Sequence, residues 1–277
     1  DKYYVTKRWD EDGYWDEIDN ICKENEIGLI LSLIDPELEL LAKQKAHFEQ
    51  IGIMVNVGED NIIHKCFDKW ETLQFLKEND YPWIKTYKTI EDADMDLKNG
   101  QLAYPLFIKP RCGSGSAGIQ KIQNAAQLRS VNTEDVIVQE YMQGQEIGVD
   151  IYVDLISREV ISIFAKKKLK MRAGETDKSV SYKNEKLFRL IEKFSKEFGL
   201  VGTNDIDVFE QDGEFYISEV NPRFGGGYLH AYECGERFPF FLMNNMNGIV
   251  NKPCIGKYES GVYMMKYFDI HMMKMEE

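Results

Sequence analysis

The stretch "NDIDVFEQDGEFYISEVNPRFGGG", Asn204 to Gly227, holds two alternating segments around a glycine turn. Asp205 and Asp207 are two residues apart, so on a strand they share one face while Ile206 and Val208 point into a core. On the second segment Ile217, Glu219 and Asn221 share a face in the same way. Asp and Asn are poor strand formers, and Val208, Phe209, Phe215 and Val220 belong to a well-packed sheet. The pattern therefore favours a site over a solvated edge hairpin. With a two-residue Asp212-Gly213 turn, Ser218 would face Asp207 and Glu219 would fall behind. With a three-residue Gln211-Asp212-Gly213 loop, Asp205 pairs with Glu219, and the carboxylates converge with Asn221. Convergent carboxylates beside an amide suit Mg²⁺ (or Mn²⁺), a hard cation that prefers oxygen ligands and bridges nucleotide phosphates. Pro222 ends the strand, Arg223 offers a phosphate-binding fork, and "FGGG" reads as a loose loop.

A second stretch, "PLFIKPRCGSGSAGIQKI", Pro105 to Ile122, contains G-x-G-x-x-G at Gly113, Gly115 and Gly118. A P-loop requires Lys after the last glycine, where this chain has Ile119. A Rossmann loop opens a helix directly, but "IQKI" suits a strand, and the next helix starts only after Asn124. Lys109 precedes the loop, placed to neutralise phosphate while backbone N–H groups close in. Taken alone, the same residues fit a surface hairpin.

The 277 residues suffice for two domains, and the composition is that of an ordinary globular chain. A net charge of -13 argues against duplex nucleic acid or an anionic membrane as partner. The five cysteines have no C-x-x-C spacing, which leaves reduced thiols and a cytoplasmic location as the expectation. No apolar run is long enough for a membrane span, and no signal peptide opens the sequence.

The class is α/β (α+β). "IGLILSLID", Ile27–Asp35, reads as a parallel strand, with Asp35 as N-cap and Pro36 in the first turn of a helix through Leu38, Leu41, Ala42 and Phe48. "IGIMVNVG" closes one βαβ unit, and Tyr3–Val5 is a candidate third strand. Asp68, with Glu71 three residues on, has capping-box spacing. "NEKLFRLIEKFSKEF" sets Leu187, Ile191, Phe194 and Phe198 on one face and stops at Gly199. "GVYMMKYFDIHMM" reads as a final strand.

A lysine before a Gly/Ser loop, then "VQEYMQGQE", then "D-x-D…EVNPRFGGG", closely resembles the ATP-grasp superfamily, nearest to stand-alone proteins similar to the carbamoyl phosphate synthase large subunit. The likeness runs from about Asp35 to Gly248. It implies an ATP-grasp fold over 65–277, with a small glycine-loop lobe at about 103–142, preceded by a partial Rossmann-like domain over 1–64. It implies ATP and Mg²⁺ (or Mn²⁺) as cofactors. By position Lys69 and Lys109 resemble the phosphate-binding cations, and Gly113 and Ser114 the loop that closes on phosphates. Glu140, Tyr141 and Met142 resemble the adenine hinge, and Glu146 the acid on the ribose. Asp207, Glu219 and Asn221 resemble the metal ligands, and Arg223 the residue steadying the transferred phosphoryl group. Asp207 stands where relatives carry Gln, which changes the charge balance.

Such a site implies an ADP-forming ligase that activates a carboxylate as acyl phosphate for attack by an amine, with small-molecule substrates and a possible homodimer. An ATP-binding partner subunit without turnover and a phosphotransferase are the alternatives. No Ser-His-Asp or Cys-His arrangement is evident. The basic run "KKKLKMRAGETDK", Lys166–Lys178, reads as a solvated loop or, by the resemblance, as a substrate loop with Arg172 as its functional residue. His230 reads as structural ahead of acceptor-binding, and Cys112 as a small filler.

Overall fold

The computed structural model describes residues 2–113, 118–131, 135–270 and 272. The chain begins with a helical unit: α1 (Tyr14–Glu24), β1 (Leu29–Ile30), α2 (Asp35–Gln50), β2 (Met54–Val55) and α3 (Asp60–Phe67). β1 and β2 pair in parallel, Leu29 opposite Met54 and Ile30 opposite Val55. Leu38, Leu41 and Phe48 of α2 pack with Val55, Val57 and Ile63 in one small core. The expected long strand over Ile27–Asp35 is only two residues, and Tyr3–Val5 forms no third strand. Strands of two residues each offer little edge to extend, and Tyr3 and Val5 stand in solvent. Asp35 is the first residue of α2 rather than its cap, a position Ile34 takes without a side-chain bond.

The next unit starts at α4 (Lys69–Glu78). Asp68 caps it, accepting from Trp70 N at 3.0 Å and Glu71 N at 3.3 Å. Arg111 grips the same carboxylate, with Nε 2.9 Å from Oδ1. Then come β3 (Thr86–Tyr87), α5 (Ile90–Lys98), β4 (Leu106–Pro110), β5 (Gln120–Ile122), α6 (Ala125–Arg129) and β6 (Val136–Glu140). Asn124 caps α6 through Gln127 N. The four strands form an antiparallel sheet in the order β3-β6-β4-β5, with Leu106, Ile108, Ile122, Leu128 and Val138 beneath it.

The largest unit holds β7 (Gln145–Val153), β8 (Val160–Arg172), β9 (Glu175–Tyr182), α7 (Glu185–Phe198), β10 (Gly202–Gln211), β11 (Glu214–Asn221), α8 (Tyr228–Glu233), α9 (Phe238–Met246) and β12 (Tyr263–Met265). Its six strands run β11-β10-β7-β8-β9-β12. Leu187, Ile191, Phe194 and Phe198 of α7 enter the main core, and Gly199 ends the helix at φ +89. The basic run is no loop. It forms the second half of β8, which turns at Ala173-Gly174 into β9 with Arg172 opposite Glu175. The last strand is shorter than expected, three residues paired with β9.

Candidate functional site

The hairpin of β10 and β11 turns in two residues. Gln211 pairs with Glu214, and Asp212 and Gly213 both take left-handed backbone, φ +54 and +78. That turn alone would set Ser218 opposite Asp207. A register shift after Val208 leaves Ser218 as an extra residue, a bulge, and returns Glu219 to the position opposite Asp207. The expected three-residue loop and Asp205–Glu219 pair are therefore corrected: Asp205 lies opposite Asn221. The polar faces coincide, through a bulge rather than through the turn.

The polar face continues across the sheet. Asp150 of β7 lies opposite Asp205, Gly148 opposite Asp207, and Lys166 of β8 opposite Gly148. Lys166 and Asp150 form a fully buried ion pair, and Asp150 Oδ1 finds no hydrogen-bond partner among the described residues. Lys168 Nζ lies 2.7 Å from Glu146 Oε1 and 2.6 Å from Asp207 Oδ1. Burial, then the charges of Asp207 and Asp150, push the Asp205 carboxyl up to about 7. Burial alone would lower the Lys168 ammonium, but Asp207, Glu146 and Asp205 outweigh it and hold the ammonium above its ordinary range. Asp205, Asp207, Glu219 and Asn221 form a hard-oxygen donor set crowded enough with negative charge to fit a divalent cation.

Cations face this wall from the unit that begins at α4. Lys69, the first residue of α4, sends Nζ to Gly113 O at 2.6 Å and to Glu219 Oε1 at 3.2 Å. Lys109 of β4 is buried, its Nζ 3.5 Å from both Ser218 O and Ser218 Oγ. Burial lowers its ammonium from the ordinary lysine range. Gly113 has φ +124, a conformation suited to glycine. Ser114 lies outside the described residues.

Between the two larger sheets runs the segment Glu140–Gly144. Glu140 N donates to Lys85 O at 2.8 Å. The Tyr141 ring lies 6.3 Å from Phe107 and under Lys121 Nζ at 3.7 Å. Phe107, Ile119, Met142 and Phe209 give this end of the cleft apolar walls.

A contact spanning the chain also lines the cleft. Arg223 makes a two-pronged pair with Asp35 of α2, Nη2 to Oδ2 at 3.0 Å, and donates to Phe224 O at 3.0 Å. The "FGGG" segment is not loose. A Cβ on Gly225 would lie 2.6 Å from Asp205 Cγ, and one on Gly227 2.9 Å from Lys166 Cε, so the bare backbone passes directly over the charged row. Arg172 lines the same cleft, with Nε 3.9 Å from Asp177 Oδ1 and the guanidinium 4.0 Å from the Phe268 ring. His230 is buried on the same sheet face as Lys166, with its ring against Phe164. Nε2 donates to Val262 O at 3.1 Å, which leaves Nδ1 to accept from Ser179 Oγ at 2.8 Å. One cleft of about 940 Å³ is bordered by Lys109, Glu146, Asp207, Glu219 and Arg223 together.

Residues 66–227 match the ATP-grasp domain family, and residues 1–56 match a PylC-like N-terminal domain. The chain belongs to the ATP-grasp family. This ATP-grasp chain is 22% identical over 187 residues to the arginine-specific carbamoyl phosphate synthase large chain of Geobacillus stearothermophilus, covering 63% of this chain and 18% of that one. It is 27% identical over 170 residues to the D-alanine–D-alanine ligase of Ruminiclostridium cellulolyticum, covering 53% and 45%. Its fold superposes on the biotin carboxylase domain of the 2-oxoglutarate carboxylase of Hydrogenobacter thermophilus, solved with MgADP and bicarbonate, with a TM-score of 0.74. That match has 16% identity over 94% of this chain and 62% of that one. The ATP-grasp chain thus spans less than two thirds of each of these relatives.

Sequence reasoning missed three side chains that line the ATP-grasp cleft, Asp35, Lys166 and Lys168, and Asp150 buried beneath Lys166. Period-two spacing in "AKKKLK" was the available signal for the lysines, since it sets 166 and 168 on one strand face. Nothing local points to Asp35, whose partner is 188 residues away.

Proposed function

We propose that the protein is an ATP-dependent, ADP-forming ligase that activates a small-molecule carboxylate as an acyl phosphate for attack by an amine. The observation that carries this reading is the cleft in which Lys109 faces the acidic wall of Asp207 and Glu219, with Lys69 paired to Glu219. In this reading the adenine lies between Phe107, Met142 and Phe209 and is read by the backbone of Glu140–Met142. Glu146 takes the ribose hydroxyls. Lys69, Lys109 and the loop from Gly113 through Ser114 hold the phosphates. Asp207, Glu219 and Asn221 hold Mg²⁺ or Mn²⁺, which supplies charge neutralisation on the phosphates when bound.

The chemistry then asks little covalent work of the side chains. A carboxylate oxygen attacks the γ-phosphorus and ADP leaves. The amine nitrogen attacks the acyl carbon and forms the C–N bond, the acyl C–O bond breaks, phosphate leaves with the bridging oxygen, and the nitrogen gives up its proton to the departing phosphate or to solvent. Arg223 steadies the phosphoryl group and the acyl phosphate, as a planar fork suits. Arg172, at the mouth of the cleft, holds the substrate side. The Gly225–Gly227 backbone covers the centre and limits water, which would hydrolyse the acyl phosphate.

The reading divides the chain near residue 65, supported by separate apolar cores on either side. It includes a cytoplasmic location, supported by five free cysteines. Among the described residues no helix is long and apolar enough to cross a membrane. A homodimer is the assembly to test by sedimentation. A second reading, an ATP-binding regulatory or partner subunit without its own turnover, draws on Lys69 and Lys168 already seated on the carboxylates Glu219 and Asp207.

The experiment is release of ADP and phosphate with Mg²⁺ against pooled amines, amino acids and carboxylic acids, with Glu219→Ala as control. Stoichiometric ADP and phosphate that depend on both substrate pools support the ligase. Tight nucleotide binding with flat hydrolysis supports the second reading, and ADP without phosphate supports a phosphotransferase.

A further inference from the structure

Lys168 joins the proposed ribose acid to the proposed metal wall. It starts on β8 and crosses β7 to reach β10, a path that needs the missing side chain of Gly148. A Cβ there would lie 3.2 Å from Lys168 Cε. Its ammonium ends 2.7 Å from Glu146 Oε1 and 2.6 Å from Asp207 Oδ1, with the side chain only 7% exposed. The neighbouring carboxylate Asp150 is neutralised by Lys166 in the same manner, and Lys69 sits on Glu219. The acidic wall of the free protein therefore already carries its own cations.

We propose that Lys168 is a resident counter-cation that occupies Asp207 until nucleotide arrives, so that the divalent ion binds with the nucleotide rather than before it. This rests on the ligase reading, in which Asp207, Glu219 and Asn221 hold the metal. A divalent ion approaching Asp207 alone meets the Lys168 ammonium already on that carboxylate and Lys69 on its neighbour. Like charges a few Å apart in a partly dry cleft repel strongly. A triphosphate brings several negative charges that the lysines and the ion can share, and the conflict disappears. Lys168 is thus a positioning residue that couples metal affinity to nucleotide occupancy.

The test is Mn²⁺ binding to the full chain by calorimetry, with and without a non-hydrolysable ATP analogue. Wild-type protein is expected to bind Mn²⁺ weakly alone and more tightly with the analogue. Lys168→Met and Lys168→Gln are expected to bind Mn²⁺ alone about tenfold tighter than wild type, and Lys168→Arg no tighter. The Gln variant keeps amide donors for both carboxylates and serves where the Met variant fails to fold. Neutral variants that bind Mn²⁺ alone no tighter than wild type overturn the proposal. So does a gain that survives in the Lys168→Gln, Asp207→Asn double variant, since it then arises elsewhere. Failure of the ligase reading shows separately, as no binding of the analogue to wild-type protein in the presence of Mn²⁺.

Discussion

Asp207 of β10 lies directly opposite Glu219 of β11 because Ser218 is spent as a bulge between them. The same bulge presents Ser218 O and Oγ to Lys109. One irregular residue therefore serves both the acidic wall and the facing cation. Bulges of this kind re-aim side chains at sites.

Glu219→Gln keeps the shape and removes the charge. ADP release under saturating substrates is expected to fall by about 100-fold or more, the loss typical for a group that acts on transition-state charge. Urea unfolding is expected to shift by about 1 kcal/mol or less, because Glu219 is partly solvated and its partner Lys69 also bonds Gly113 O. Equal losses of activity and stability would mean a structural role instead.

Gly225→Ala and Gly227→Ala differ in what the new methyl meets. At Gly225 it meets the short Asp205 carboxyl at 2.6 Å, with little room to turn. At Gly227 it meets Lys166 Cε at 2.9 Å, near the end of a long side chain. The first substitution is expected to cost about ten times more activity than the second, and both should leave the protein folded by circular dichroism. Nucleotide titration followed by steady-state kinetics checks the order.

Asp35→Ala leaves the Arg223 guanidinium without its two-pronged partner in a mostly buried position. A loss of about 2 kcal/mol in urea unfolding is expected, since some solvent reaches the pair. Turnover is expected to fall as well, because Arg223 loses its orientation, and Asp35→Glu should recover part of both. Unchanged turnover alongside the stability loss would limit Asp35 to joining α2 to the cleft.

His230 sets an acid limb to stability. Burial, and then the Lys166 charge, lower its imidazole from 6.5 to about 4 in the folded protein. Between those values the unfolded chain binds a proton that the folded one does not. The contribution is therefore complete above pH 6.5 and lost as pH falls toward 4, by up to about 3 kcal/mol. His230→Gln is expected to be less stable than wild type at pH 7, and to lose less on acidification to pH 4.5. Parallel pH profiles for the two proteins would remove the histidine from this role.

Much of the architecture was legible from near neighbours along the chain. The caps at Asp68 and Asn124, the helix stop at Gly199 and the alternation in "DIDVFE" depend on residues within a turn or a strand of one another. The hairpin turn is not among them: the expected three-residue loop is a two-residue turn at Asp212-Gly213, and the bulge at Ser218 restores the pairing. The basic run misled, because its charges suggested solvent while its period-two spacing gave a strand whose lysines find carboxylates on β7 and β10.

By itself, then, the sequence determined the mixed sheet-and-helix class, the polar face of the Asn204–Asn221 hairpin and the ATP-grasp membership. Only the tertiary structure decided which carboxylates pair, where Lys166 and Lys168 end, and that Asp35 holds Arg223. Local preferences act over a few bonds, whereas a bulge or an ion pair 188 residues apart forms only where packed sheets bring its partners together.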